Sequence, residues 1–356
     1  MKQFICVTVF LLHLASSSAR ADKVGEFVTA EMEKHQIPGL ALTIIRAGEE
    51  TRTAFYGLAN VELKAPARPE TVFEIASLTK QFTAACILLL EQDGKLSVDD
   101  KISKHLADIP AGWSNITIRH LLTHTSGIRN YTGLDGFELA KHLSQAQFIQ
   151  ALGVQPPDFA PGENYKYCNS GYNLLGFIIE NVSGKNYWSF LAERIWAPLS
   201  MTASTNRDPG IIVPQRADGY IRKNGALRNR DNDLTDVFAA GAIVSTLGDL
   251  VKWNAALDTD KLLNATSRAR MWTAGKLNDG SETPYGFGWR VNPYQGHKNI
   301  GHSGSTSGFS VSLQRFPSDK LVVIVLCNSD EPNIATTLAK TIASFYFTEK
   351  QPTSGR

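Results

Sequence analysis

The sequence predicts a mixed α/β (α+β) fold. An antiparallel sheet flanked by helices is completed by both ends of the chain, and a helical lobe is inserted between its N- and C-terminal strands. Three observations carry that expectation. Apolar runs of strand length occur near both ends, the stretch between them reads mostly as helices parted by Gly- and Pro-rich turns, and no repeat, low-complexity tract or long linker interrupts the chain. At 356 residues, 43% of them hydrophobic, the chain can bury a large core. A formal net charge of +2 gives no electrostatic reason to expect nucleic acid or an anionic membrane as partner.

The first 21 residues read as an export signal. Lys2 supplies a basic start, Phe4 to Leu14 an apolar stretch, and Ala19-Arg20-Ala21 an A-x-A cleavage site before Asp22. A periplasmic or secreted protein is expected, with no stable membrane span after cleavage, because no later apolar stretch approaches about 20 residues. One hydrolase-like domain is expected over 22–350, its helical lobe over about 75–255, followed by a tail at 351–356.

Within that domain, Val24 to His35 has helical spacing. Gly39 to Arg46 and Thr51 to Gly57 read as strands around a turn at Ala47-Gly48-Glu49-Glu50. Ser77 through Glu91 is a helix apolar nearly all round, hence buried, and Gly94 stops it. Near the end, Gly308 to Phe316 and Lys320 to Asn328 read as strands joined by Pro317-Ser318-Asp319, and Asn333 to Phe347 as a closing helix.

Chemistry first shows at Ser77-Leu78-Thr79-Lys80, where a hydroxyl and an amine stand one helical turn apart on one face. A serine becomes a nucleophile when a neighbouring base takes its proton. Lysine serves only if its pKa falls from about 10.4 towards 7, a change of roughly 4 to 5 kcal/mol. Cys86, Cys168 and Cys327 remain once Cys6 leaves with the signal. They are an odd set, in which Cys86 and Cys327 read as core residues and Cys168 has no obvious base beside it. His120 and His124 are four apart, but Leu121 stands where a zinc-protease helix needs glutamate, so no metal is expected. Glu163 follows Pro161-Gly162 and reads as a turn residue, not a base. No cofactor motif is found.

Taken with Tyr167-Cys168-Asn169 and Gly301-His302-Ser303-Gly304, the Ser-x-x-Lys string resembles the serine β-lactamase and penicillin-binding-protein superfamily. The branch is that of D,D-peptidases, class C β-lactamases, related esterases and D-amino-acid peptidases. The likeness extends through Phe73-Glu74-Ile75-Ala76, His120 to Gly127, Pro161-Gly162-Glu163, Gly171 to Gly176 and Tyr285-Gly286-Phe287-Gly288-Trp289, over roughly residues 24 to 345. It implies a β-lactamase-like fold with the active site between sheet and helical lobe.

By the same resemblance Ser77 is the acylated nucleophile, Lys80 and Tyr167 share the proton transfers as a coupled pair, and the amides of Ser77 and Ser305 form the oxyanion hole. Asn169, His302, Ser303 and Gly304 bind substrate, with Gly304 letting substrate backbone approach. Ser303, Ser305 and Lys298 are candidates to hold a substrate carboxylate. Histidine at 302, where β-lactamases more often carry lysine, ranks D,D-carboxypeptidase or D-amino-acid peptidase activity first, then a small-ester esterase, then a β-lactamase. The expected partner is therefore a D-alanyl peptide, an ester or a β-lactam. A non-catalytic cell-wall or β-lactam-binding sensor is the alternative of another class.

Overall fold

A computed structural model describes residues 23–134 and 143–347; the export-signal reading, the 351–356 tail and the loop tip near Gly136 lie outside the described residues. A seven-stranded antiparallel sheet runs in the order Ala65–Pro66, β2 (Glu49–Asn60), β1 (Gly39–Arg46), β5 (Leu321–Cys327), β4 (Phe309–Phe316), β3 (Ile300–Thr306) and Arg290–Val291. The first and last parts of the chain meet at its centre, where β1 pairs with β5 from Leu40↔Cys327 to Arg46↔Leu321.

Strand alternation sorts the core into two layers. Leu40, Leu42, Ile44, Val323 and Val325 face one side, where they pack with Val24 and Val28 of the N-terminal helix (23–35) and with Leu338 and Ile342 of the closing helix, Ile334–Ser344. Ala41, Ile45, Val322, Ile324 and Leu326 face the other side, towards the helical lobe. Because both faces are covered, β5 is apolar at every position rather than at alternate ones.

The turn between β1 and β2 is tighter than the expected four residues. Arg46 pairs directly with Glu49, and Ala47 and Gly48 adopt φ of 54° and 86°. Two consecutive left-handed residues make the hairpin turn whose twist matches the strands it joins.

The helix read from Ser77 begins two residues later: Ala76–Leu78 form a single 3₁₀ turn, and α2 spans Thr79–Gln92. Every residue of α2 from Thr79 to Leu90 is buried. The long helix Asn169–Ser183 (α3) packs against it. The middle of the chain is less purely helical than expected. Val72–Glu74, Ile243–Thr246 and Thr205–Asn206 form a three-stranded sheet, and Gly219–Lys223 pairs with Ala226–Arg230 as a separate hairpin. Asn224-Gly225, with φ of 53° and 77°, turns that hairpin. Among the described residues, no helix is long and apolar enough to cross a membrane.

Candidate active site

The turn that carries Ser77, the expected nucleophile, is strained and tightly held. Ala76 takes a φ of 47°, left-handed backbone that costs a non-glycine residue about 1 kcal/mol. Two contacts hold the turn in place. The Ile75 N–H donates to the Ile243 carbonyl at 3.0 Å. β3 also runs so close alongside that a Cβ on Gly304 would lie 2.5 Å from the Ile75 carbonyl oxygen and 2.9 Å from the Ala76 Cβ. The close approach of Ile75, Ala76 and the Val311 side chain is by itself enough to demand glycine at 304. β3 pairs with Arg290–Val291 only at Ile300 and Gly301, so its edge from His302 onward is open on the side of the nucleophile turn.

Ser77 is half-buried at the head of α2, and the Lys80 side chain is fully buried one turn on. Its Nζ donates to Ser77 Oγ at 3.2 Å, to Asn169 Oδ1 at 2.8 Å and to the Ala240 carbonyl at 2.7 Å. Three acceptors match the three protons of an ammonium. If the amine is neutral, two of them still fix its remaining N–H groups and leave its lone pair for Ser77. Burial drives the Lys80 pKa well below the ordinary amine value, and the Arg290 cation lowers it further.

Tyr167 comes to the same place from the segment before α3. Its ring centroid lies 4.8 Å from Lys80 Nζ and 5.5 Å from the Arg290 guanidinium. The phenol oxygen is buried. Burial raises its pKa above the usual phenol value, while Ser77 and the Arg290 charge oppose the rise. The chain thus brings together an alcohol, an amine and a phenol from two distant segments.

The residues around Tyr167 form a buried aromatic box. The His124 ring centroid lies 4.3 Å from that of Tyr167, 5.1 Å from Tyr172 and 4.4 Å from Tyr285. His124 Nδ1 accepts from the Cys168 N–H at 3.1 Å, and burial depresses its pKa well below the ordinary value. His120 has a separate duty. Its Nδ1 accepts from the Thr117 N–H at 3.2 Å while Thr117 Oγ1 accepts from the His120 N–H at 3.3 Å, a reciprocal helix cap. The Cys168 thiol donates to the Ile128 carbonyl at 3.2 Å, with its pKa raised by burial. Glu163 is exposed and accepts from the Ala160 N–H at 2.9 Å, closing its turn.

A cleft of about 590 Å³ opens beside Ser77. Ser77, Asn169, Ser305 and Thr306 line it, together with Thr132 and the segment from Arg230 to Leu234. Three expected substrate-binding residues are placed elsewhere. His302 is 1% exposed, accepts from the Tyr285 hydroxyl at 2.7 Å and donates from Nδ1 to the Ser303 carbonyl at 2.6 Å. That arrangement fixes a neutral ring under the floor of the site, and burial holds its pKa well below normal. Ser303 serves here through its carbonyl, and Gly304 through its closeness to the nucleophile turn. Lys298 lines a different cavity, with Trp272, Ile300 and Arg315.

Some participants were not read from the sequence. Arg290 and the Ala240 carbonyl carry no local motif, since only the fold brings them to Lys80 and Tyr167. Arg230 and Asn232 follow an Asn-Gly hairpin signal at 224–225 that would have placed a strand end there.

Comparison with known proteins follows the same boundaries. The Beta-lactamase family model matches residues 24–346. Penicillin-binding protein 4* of Bacillus subtilis (strain 168) is 32% identical over 322 residues, 84% of this chain and 70% of that protein. Protein flp of Staphylococcus aureus (strain MW2) is 28% identical over 314 residues, 86% of this chain but 62% of its own length. Among solved structures, the octameric penicillin-binding protein homologue from Pyrococcus abyssi superposes with a TM-score of 0.77 at 29% identity, covering 91% of this chain and 76% of that one. The D-amino acid amidase from Ochrobactrum anthropi SV3 superposes with a TM-score of 0.76 at 26% identity, covering 88% and 95%.

Proposed function

This chain belongs to the Beta-lactamase family of serine hydrolases, and from that premise we propose that it is an exported hydrolase of D-amino-acid peptides or amides working through an acyl-enzyme on Ser77. One observation carries the reading: a fully buried lysine amine 3.2 Å from a serine oxygen, with its other protons held by Asn169 and the Ala240 carbonyl. Burial lowers the pKa of this amine well below the ordinary value, the direction a lysine base requires.

Ser77 Oγ attacks the substrate carbonyl carbon as its proton passes to Lys80 Nζ. The carbonyl oxygen becomes an oxyanion held by the Ser77 and Ser305 amides, each donor in such a site typically worth about 3 to 4 kcal/mol. Collapse of the adduct breaks the carbonyl carbon–leaving group bond, and the proton returns through Lys80 and Tyr167 to the departing amine. Water then repeats the sequence on the ester, giving up a proton to the same pair and releasing Ser77 with the product acid.

A D,D-carboxypeptidase substrate ends in a carboxylate that needs a cation. Neutral, buried His302 does not supply one and Lys298 lies in another cavity, whereas Arg230 lines the cleft. Support for D-amino-acid chemistry comes from the likeness to the D-amino acid amidase, and support for export from the first 21 residues. The test is a panel of D- and L-amino-acid amides, D-alanyl dipeptides, p-nitrophenyl esters and a fluorescent penicillin, each assayed on wild type and Ser77→Ala. Turnover of the D-series alone, lost in Ser77→Ala, is expected. Turnover of esters alone would move the assignment to an esterase, rapid penicillin turnover to a β-lactamase, and no covalent mass gain with any substrate or with a fluorophosphonate to a sensor.

A further inference from the structure

Glu74 stands three residues before the nucleophile on Val72–Glu74 and is 1% exposed, in a position where a carboxylate is costly unless it is tied. Its ties run to both walls of the cleft. Oε2 accepts from Thr306 Oγ1 at 2.7 Å, at the end of β3 next to Ser305. The same oxygen accepts from Asn232 Nδ2 at 3.0 Å, and Asn232 donates its other proton to the Ser307 carbonyl at 2.7 Å. Thr306, Asn232 and Ser307 all line the cleft beside Ser77, while Glu74 does not.

The second oxygen is less well served. Glu74 Oε1 lies 3.7 Å from Arg207 Nε, both atoms are buried without a hydrogen bond, and Arg207 spends its NH2 on Asp231 at 2.6 Å. Asp231 also accepts from Arg216 at 2.8 Å. One buried carboxylate therefore links the nucleophile turn, through three residues of chain, to the strand expected to hold the oxyanion and to the rim that meets the substrate.

We propose that Glu74 is a positioning residue: through Thr306 it sets the oxyanion strand, and through Asn232 the substrate-facing rim, relative to Ser77. It touches no reacting atom. The two arms separate chemistry from binding, so cutting them one at a time gives different kinetic signatures that a purely structural carboxylate would not produce. This rests on the acyl-enzyme reading of Ser77.

The experiment measures inactivation of the full chain by a fluorophosphonate and resolves kinact from KI, with thermal melting alongside. Thr306→Val is expected to lower kinact about tenfold with KI held, and Asn232→Ala to raise KI about fivefold with kinact held. Glu74→Leu combines both effects, and Glu74→Gln, which keeps an acceptor for Thr306 and Asn232, restores much of each. Adding Thr306→Val to Glu74→Leu costs nothing further, because the contact is already gone. Should Glu74→Leu fail to fold, the Thr306 and Asn232 variants still decide. The proposal is overturned if both single-arm variants change kinact and KI in the same proportion, if neither changes either constant, or if the double variant multiplies the two single effects. Wild type that takes up no fluorophosphonate sinks the acyl-enzyme reading itself, and the two failures are thereby told apart.

Discussion

At the scale of single residues, the proposed activity turns on the state of one proton. Lys80 works as a base only when neutral, and burial lowers its pKa in the folded chain. Acylation of Ser77 should therefore rise with pH through a single ionisation well below the ordinary amine range. Rapid-mixing measurement of fluorophosphonate labelling across about pH 5 to 9 checks this, and a flat profile would remove Lys80 from the role. Linkage fixes the accompanying sign for stability. The unfolded chain keeps the lysine protonated up to about 10.4, so it binds more protons than the folded chain. This group's contribution to stability accordingly increases with pH between the folded and unfolded values. Tyr167 is tested differently: Tyr167→Phe keeps the ring packed against the core and removes only its hydroxyl, so the melting temperature should stay within a few degrees. Turnover should nevertheless fall about 10²- to 10⁴-fold if the phenol carries a proton.

Secondary-structure elements hold these residues by close approach. Gly304→Ala would drive a Cβ into the Ile75 carbonyl and push β3 off the nucleophile turn. We expect a folded protein by circular dichroism whose labelling by fluorophosphonate is slowed at least 100-fold, since losing one oxyanion donor costs about 3 to 4 kcal/mol. A contrasting outcome is expected deep in α2. Leu88 is fully buried, so Leu88→Ala should cost about 2 to 5 kcal/mol in denaturant unfolding while acylation of the remaining folded fraction is unchanged. These elements also show what could be read in advance. The wholly apolar Leu321 to Cys327 and the run from Ala84 to Leu90 announce burial on all sides, so the central strand and helix were legible. Short strands such as Val72–Glu74 and Ile243–Thr246 were not, because three or four residues, two of them apolar, have no period to distinguish strand from helix. Ser77, Lys80 and Tyr167 could be singled out because their chemistry travels with short strings. Arg290, Glu74 and the buried setting of His302 could not be placed, because they depend on which side of a strand or turn faces the cleft.

For the molecule as a whole, charge is distributed unevenly in a way that bears on substrate. The hairpin of Gly219–Lys223 and Ala226–Arg230 carries Arg222, Lys223, Arg228 and Arg230 and no acid, against a net charge of +2 for the entire chain. Its second strand is exposed throughout and ends at Arg230, on the rim of the Ser77 cleft. Pairing places Arg230 opposite Gly219 and Arg228 opposite Ile221, so both arginines lie on one face of the hairpin. Asp231, the nearest acid in sequence, is already engaged by Arg207 and Arg216 and does little to cancel them. An anionic substrate should be drawn along this face, with a salt dependence set by a screening length of about 8 Å at physiological ionic strength. The double reversal Arg228→Glu and Arg230→Glu is expected to lower kcat/KM for a carboxylate-bearing ester about tenfold in low salt and about twofold in 0.5 M salt, with p-nitrophenyl acetate nearly unaffected. Equal losses for the charged and neutral esters would mean that the hairpin shapes the cleft without reading charge.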